Sequence, residues 1–111
     1  MPHESPQVRL AELAHTRSGD KGDRSNIGVI ANDPAHFTWL QTHLTEKAVG
    51  EFLSPMGIGK VTRFELPRLH AFNFLIEHAL AGGASRSLRI DTQGKALGTV
   101  LLELMIERPQ K

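Results

Sequence analysis

The polar stretch from His15 to Asn26 constrains the fold more than any other part of this chain. Every residue from Thr16 to Asn26 is polar, charged or glycine: three cations, two carboxylates, two glycines and four hydroxyl or amide side chains. The stretch lies between two apolar runs, and core packing does not account for such a composition. We therefore expect a polar loop that either binds a ligand or caps neighbouring structure.

The length and composition are those of one ordinary globular domain. The 111 residues, 40% of them hydrophobic, are enough to bury one modest core. A net charge of +1 produces no field that would favour nucleic acid or an anionic membrane, and the basic residues are not interleaved with aromatic ones. The chain has no cysteine, which excludes disulfides and thiolate chemistry.

The sequence also predicts the domain organisation and the cellular location. Residues 1–7 lack the cationic and apolar pattern of a targeting signal and are predicted to form a loose arm, with a single domain over residues 8–107. No apolar run approaches the roughly 20 residues of a membrane span. We expect a cytoplasmic protein with no cofactor, no nucleic-acid partner and no membrane contact.

Apolar spacing predicts the elements of the first half of the chain. Residues 8–14 alternate and residues 27–31 are rich in β-branched side chains, so each is expected to form a strand. Asp33 followed by Pro34 is typical of a helix N-cap and first helical residue. Apolar residues at steps of three and four then continue the helix, and Thr45 predicts a break within it.

The next elements are predicted in the same way. Residues 60–66 alternate and are expected to form a strand. From Leu69 to Leu80 apolar residues recur at helical steps, which predicts a second helix. The pair Gly82-Gly83 would end that helix.

The end of the chain is ambiguous. Residues 88–91 indicate a strand and residues 91–95 a short turn, with Gly94 in the left-handed position. Residues 96–107 fit the spacing of a helix or of a strand. The turn chemistry and the lack of a good N-cap favour the strand.

These elements predict an α+β fold. A mostly antiparallel sheet of about five strands with two helices on one face is a ferredoxin-like sandwich. If each element runs opposite to its predecessor, the 15–26 loop, the turn at 54–59 and the segment 82–87 lie at the same end of the sheet.

Two glycine-containing loops indicate an anion site at that end. Gly19 and Gly22 would expose successive backbone N–H groups, and Arg86 would add its charge to the cations of the first loop. Guanidinium and hydroxyl groups suit a phosphate or a carboxylate. Alternatively Asp20 and Asp23 neutralise these cations and the loop closes on itself. The candidate ligand-binding residues are Arg17, Ser18, Gly19, Lys21, Gly22, Arg24, Ser25, Asn26, Asn73, Ser85 and Arg86.

His15 is the candidate catalytic residue. It lies where the first strand meets the polar stretch, and an imidazole there suits a general acid or base oriented by Asp20 or Asp23. The alternative is a strand-end residue bonded to a backbone carbonyl. The histidines lack the i, i+4 spacing of a helical zinc site, and no metal site is predicted.

Asn73 falls on the apolar face of the predicted second helix. A buried amide without a partner costs about 1–3 kcal/mol, so Asn73 is expected to be hydrogen-bonded. Its partner is either a neighbouring loop or a ligand.

The residues from His15 to Val29, HTRSGDKGDRSNIGV, closely resemble the hallmark of AtuA-like proteins, which are named from acyclic terpene utilisation. The segments LHAFNF from Leu69 and GGASRSLRID from Gly82 are also similar to that family. The resemblance covers nearly the whole chain and implies a small ferredoxin-fold domain in its stand-alone form. It also implies a role beside acyl-CoA carboxylases and hydratases in degrading terpenoid and branched acids as coenzyme A thioesters. It implies no catalytic residue.

Three hypotheses follow, and whether the protein is an enzyme stays open. The first is an accessory or binding subunit of acyl-CoA catabolism. Its anion site is formed by the 15–26 loop and Arg86, within a homo-oligomer or against a large AtuA-type subunit. The second is a hydratase or lyase that uses His15 as acid or base. The third is a structural domain whose loop holds a large partner by salt bridges.

Overall fold

The polar stretch forms a β-hairpin. Strand β2 (Ala14–Lys21) pairs antiparallel with β3 (Arg24–Ala31), so the prediction of a loop over residues 15–26 was wrong. The β2 side chains that face the helices include the hydroxyls of Thr16 and Ser18 instead of aliphatic groups. Because of these hydroxyls, the sequence does not show the apolar alternation of a half-buried strand.

The computed structural model describes residues 6–21, 24–78 and 97–109. Of Asp20, Lys21 and His78 it describes the backbone alone. The predictions that fall outside the described residues are those on Gly22, Asp23, Ser85, Arg86, the glycine pair at 82–83 and the strand and turn over 88–95.

Helices α1 (Pro34–His43) and α2 (Glu46–Leu53) begin at side-chain caps. Asp33 Oδ1 accepts a hydrogen bond from Ala35 N at 2.8 Å, and Thr45 Oγ1 accepts one from Ala48 N at 3.0 Å. The predicted helix start and the predicted break near residue 45 are confirmed. A side-chain cap of this kind stabilises a helix by about 1 kcal/mol.

Two long antiparallel strands follow. Strand β4 (Ile58–Leu66) begins after Gly57, whose φ of 77° is left-handed, and confirms the strand predicted there. Residues 69–80 were predicted as a helix, and this was wrong. They contribute strand β5 (Ala71–His78), whose Phe72, Phe74 and Ile76 point into the core at strand spacing.

The chain ends form a second, smaller sheet. Strand β1 (Gln7–Arg9) pairs antiparallel with β6 (Met105–Glu107), and helix α3 (Leu97–Leu101) precedes β6. The strand predicted over 8–14 is thus two strands separated by a 3₁₀ turn at Leu10–Glu12. The strand predicted over 96–107 is a helix followed by a strand.

The main sheet has the order β2-β3-β5-β4, with all neighbours antiparallel. One face carries the core, in which buried side chains of β3 and β5 pack against those of α1, α2 and α3. The predicted α+β architecture, with helices on one face of an antiparallel sheet, is confirmed. None of the helices in the described ranges is long and apolar enough to cross a membrane.

The hairpin tip lies at the end of the sheet where β4 begins and β5 ends. Lys21 pairs with Arg24, Arg24 pairs with Glu77, and Ile58 pairs with His78. This places the polar hairpin and the turn before β4 at one end, as the topology argument predicted.

Candidate functional site

The face of the main sheet opposite the core is called the open face. It carries the odd-numbered residues of β2 from His15 to Gly19 and the even-numbered residues of β3 from Arg24 to Ile30. It continues over the odd-numbered residues of β5 and the even-numbered residues of β4 from Thr62 to Leu66. The described side chains of the open face are half-buried or exposed except that of Ala71, which indicates that the helices do not cover them.

The central row of the open face has a gap at Gly28. The strand register places Arg17, Gly28, Asn73 and Phe64 side by side across the four strands. Neighbouring strands lie about 4.8 Å apart, so Arg17 and Asn73 are separated by about 10 Å with no side chain between them. This gap is called the Gly28 trough.

A pair of amides borders the trough. Asn26 Nδ2 donates to Asn73 Oδ1 at 3.3 Å, which ties β3 to β5 on the open face. The Asn26 side chain also lies over Gly19, where a Cβ atom would come within 2.6 Å of Asn26 Oδ1. Because Gly19 has no side chain, it leaves room for the side chain of Asn26. The hydrogen-bond partner expected for Asn73 is therefore Asn26, a residue of the hairpin.

Beside this pair the open face has a cavity of about 330 Å³ near the hairpin tip. Arg24, Ser25, Asn26, Asn73 and Leu75 line it. The cavity thus combines a guanidinium, two amides and one apolar side chain.

The charges of the open face suit an anion. The side chain of Arg17 is exposed and has no hydrogen-bond or ion-pair partner among the groups that the structure describes. Arg24 is one row from the amide pair and directly beside Glu77 in the sheet. A guanidinium and primary amides donate hydrogen bonds to carboxylate or phosphate oxygens.

The whole domain was compared with known proteins. Residues 8–107 match the model of the AtuA ferredoxin-like domain. The chain belongs to the AtuA ferredoxin-like domain family. The resemblance and the ferredoxin-like fold predicted from the sequence are therefore confirmed, while no curated protein and no solved structure matches significantly.

In this AtuA ferredoxin-like domain, His15 is not close to Asp20. His15 lies at the end of β2 away from the hairpin tip, and its Nδ1 is 3.2 Å from Asn32 Oδ1. Five residues of strand separate the Cα atoms of His15 and Asp20 by about 17 Å. The structure therefore does not assemble the arrangement in which Asp20 orients His15.

The side chains of two of the three serines predicted for the site, Ser18 and Ser25, do not point to the open face. Ser18 Oγ accepts a hydrogen bond from Gly98 N at 2.6 Å, on the side of α3. Ser25 is 7% exposed and alternates with the open-face residues of β3. Of the predicted ligand-binding residues, the open face brings together Arg17, Gly19, Arg24, Asn26 and Asn73.

Sequence reasoning missed three residues of the open face, Gly28, Leu75 and Phe64. Leu75 lay within the helix predicted from Leu69 to Leu80, and Phe64 was interpreted as a residue of the core or of a subunit interface. The signal that was available is the alternation of Phe72, Phe74 and Ile76, which would have placed Leu75 on the other face of a strand.

A second surface adjoins the open face at the end of β4. Leu66, Pro67 and Leu69, with Glu65 and Arg68, line a shallow cavity of about 600 Å³. Leu66 is 40% and Leu69 65% exposed. We call this surface the apolar corner.

Proposed function

We propose that this domain is a non-catalytic binding subunit whose open face holds the carboxylate or phosphates of an acyl-CoA. The ligand class is the one that the family resemblance implies, thioesters of terpenoid and branched acids. The observation that carries the proposal is the position of Arg17 and Asn73 on either side of Gly28, with Asn26 bonded to Asn73. Arg86 belongs to the proposed site as a further cation.

The hydrogen bond between the Asn26 and Asn73 amides determines which amide group can donate to a ligand. Asn73 Oδ1 accepts from Asn26 Nδ2, and this leaves the Nδ2 group of Asn73 to donate to another partner. An anion in the Gly28 trough would accept from Asn73 on one side and from Arg17 on the other. Both groups act as hydrogen-bond donors, so this arrangement holds an anion without accepting a proton from it.

Apolar side chains beside the donors fit the rest of such a ligand. Leu75 lines the cavity near the hairpin tip, and Phe64 is 49% exposed at the other end of the central row. An acyl chain that leaves water against these side chains would gain about 25 cal/mol per Å². Charged donors next to apolar surface are typical of small-molecule sites.

Calorimetric titration with coenzyme A and with isovaleryl-CoA tests the proposal. We expect Arg17→Ala/Arg24→Ala to weaken binding at least about tenfold, because hydrogen bonds to charged groups contribute about 1.5–3 kcal/mol. Binding is also expected to weaken as salt is added, since the site is exposed to solvent.

The matched control removes two cations that lie elsewhere. Arg9 pairs with Glu103 on the small sheet, and Lys47 pairs with Glu51 on α2. Arg9→Ala/Lys47→Ala lowers the net charge by the same amount and should bind as the wild type does. Equal affinities of the two double variants, or no binding by the wild type, would exclude the proposed site.

A further inference from the structure

We propose that the open face packs against the open face of a second copy of this chain. Four large hydrophobic side chains are exposed among the described residues, and three of them, Phe64, Leu66 and Leu69, lie on the open face or the apolar corner. A patch of this kind marks an interaction surface. The inference goes beyond the ligand site, because it follows from the shape and charge of the whole face.

The face is complementary in shape to itself. A two-fold axis parallel to the strands, between β3 and β5, places β3 of one copy opposite β5 of the other. Asn73 then meets the gap at Gly28 of the second copy, and Ile30 meets the small side chain of Ala71. Large residues opposite small ones allow two sheets to interdigitate about 10 Å apart.

The same axis also brings the outer strands β2 and β4 of the two copies into contact. The axis places β2 opposite β4 of the second copy, so Gly19 faces Thr62 and Arg17 faces Phe64. A guanidinium over an aromatic ring is attracted electrostatically to the face of the ring. This contact explains why the side chains of Phe64 and Arg17 are both exposed in a single copy.

Charge is complementary as well. At the hairpin end, Arg24 of each copy faces Glu77 of the other, because these two residues are neighbours on β3 and β5. The symmetry doubles this pairing, with one cation and one carboxylate contributed by each copy. Opposed charges favour this register over one in which the two arginines meet.

The size of the face approaches that of a dimer interface. Four strands about 4.8 Å apart and four rows about 6.8 Å apart cover about 500 Å² in projection. Side chains that project from this plane raise the accessible area towards the roughly 800 Å² that each partner buries in a stable complex. The apolar corner extends the surface further beside β4.

Sedimentation equilibrium of the full chain, without any ligand, tests the association. We expect a species of twice the 12.2 kDa chain mass. Phe64→Arg should raise the dissociation constant at least about tenfold, since the new guanidinium would face Arg17 of the second copy and bury two like charges together. Met105→Arg is the control, because Met105 is 44% exposed but lies on the small sheet. A monomeric wild type, or equal effects of both variants, would overturn the dimer.

A charge exchange tests the register. Arg24→Glu and Glu77→Arg should each weaken self-association, because like charges then face one another across the axis. An equimolar mixture of the two variants restores both opposed pairs and is expected to form mixed dimers in native mass spectrometry. Two variants that stay monomeric when mixed would contradict this register.

The ligand and the second copy compete for the Gly28 trough. The wild-type chain should therefore bind coenzyme A more tightly at concentrations at which it is monomeric than at those at which it is dimeric, because the site of the monomer is not covered. The sedimentation result and the titration decide different questions: a Phe64→Arg chain that is monomeric supports the dimer whether or not it binds coenzyme A. Tighter self-association of the wild type with coenzyme A present would overturn the competition.

Discussion

The guanidinium of Arg63 lies 5.2 Å from the centroid of the Phe72 ring and closes the end of the first helix. Its Nη1 donates to the carbonyl oxygens of Gln41 at 3.1 Å and Leu44 at 2.8 Å. These carbonyls lie in the last turn of α1, where no further helical N–H group is available to them. Arg63 thus ties strand β4 to α1 and to the aromatic core at one point.

We expect Arg63→Met to lower the free energy of unfolding by about 2–3 kcal/mol. The variant keeps the aliphatic stem but leaves the two helix carbonyls without this donor and removes the cation over Phe72. Urea denaturation measures the change. Lys60→Met, an exposed position on the same strand, is the control and should change stability by less than about 0.5 kcal/mol. Equal losses in the two variants would contradict the role given to Arg63.

Gly98 and Gly50 are expected to respond to alanine with opposite signs. A Cβ atom at Gly98 would lie 2.5 Å from Ser18 Oγ and 2.9 Å from Thr16 Oγ1, so Gly98→Ala must separate α3 from β2 and should cost about 1–3 kcal/mol. At Gly50 the nearest atom, Val61 Cγ2, is 3.7 Å away, and Gly50→Ala should stabilise α2 by about 0.5–1 kcal/mol. Thermal unfolding of the two variants shows whether the midpoints shift in opposite directions.

Gly19→Ala and Asn26→Ala are predicted not to be additive. The new Cβ displaces the Asn26 amide, so Gly19→Ala loses the hydrogen bond to Asn73 and about 1 kcal/mol. In an Asn26→Ala background that clash is gone, and Gly19→Ala should cost nothing more. A double-mutant cycle by urea denaturation gives the coupling energy. Gly28→Ala is the control for a strand glycine, since its Cβ would lie 3.8 Å from the Arg17 carbonyl oxygen, and additive losses at 19 and 26 would refute the explanation.

Local signals predicted the first residues of α1 and α2 correctly. Asp33, Pro34 and Thr45 act within one turn of chain, and each cap is found where the sequence placed it. The same local spacing failed at residues 71–78, because both faces of β5 carry apolar side chains. In the sequence, Phe72, Leu75 and Ile76 have the spacing of one face of a helix, but in the structure Leu75 lies on the open face. Whether residues 71–78 form a helix or a strand depends on pairing with neighbouring strands, whose residues are distant in the chain.

The candidate site was predictable in its residue types and not in its geometry. The cations, glycines and amides of the polar stretch were identified, but a loop was expected where two strands pair. A strand separates its side chains onto two faces, so Ser18 turns to α3 while Arg17 and Gly19 turn to the open face. The pairing of Asn26 with Asn73 joins residues far apart in the sequence, which no local pattern indicates.

The backbone N–H of Arg63 has a further consequence. It points away from β5 and donates to Glu46 Oε2 at 2.8 Å, so this amide at the outer edge of β4 is already occupied. An extra strand that approached this edge would have to break the bond to the carboxylate and bury its charge. The side chain of Glu46 thus opposes the addition of a strand at this point of the β4 edge.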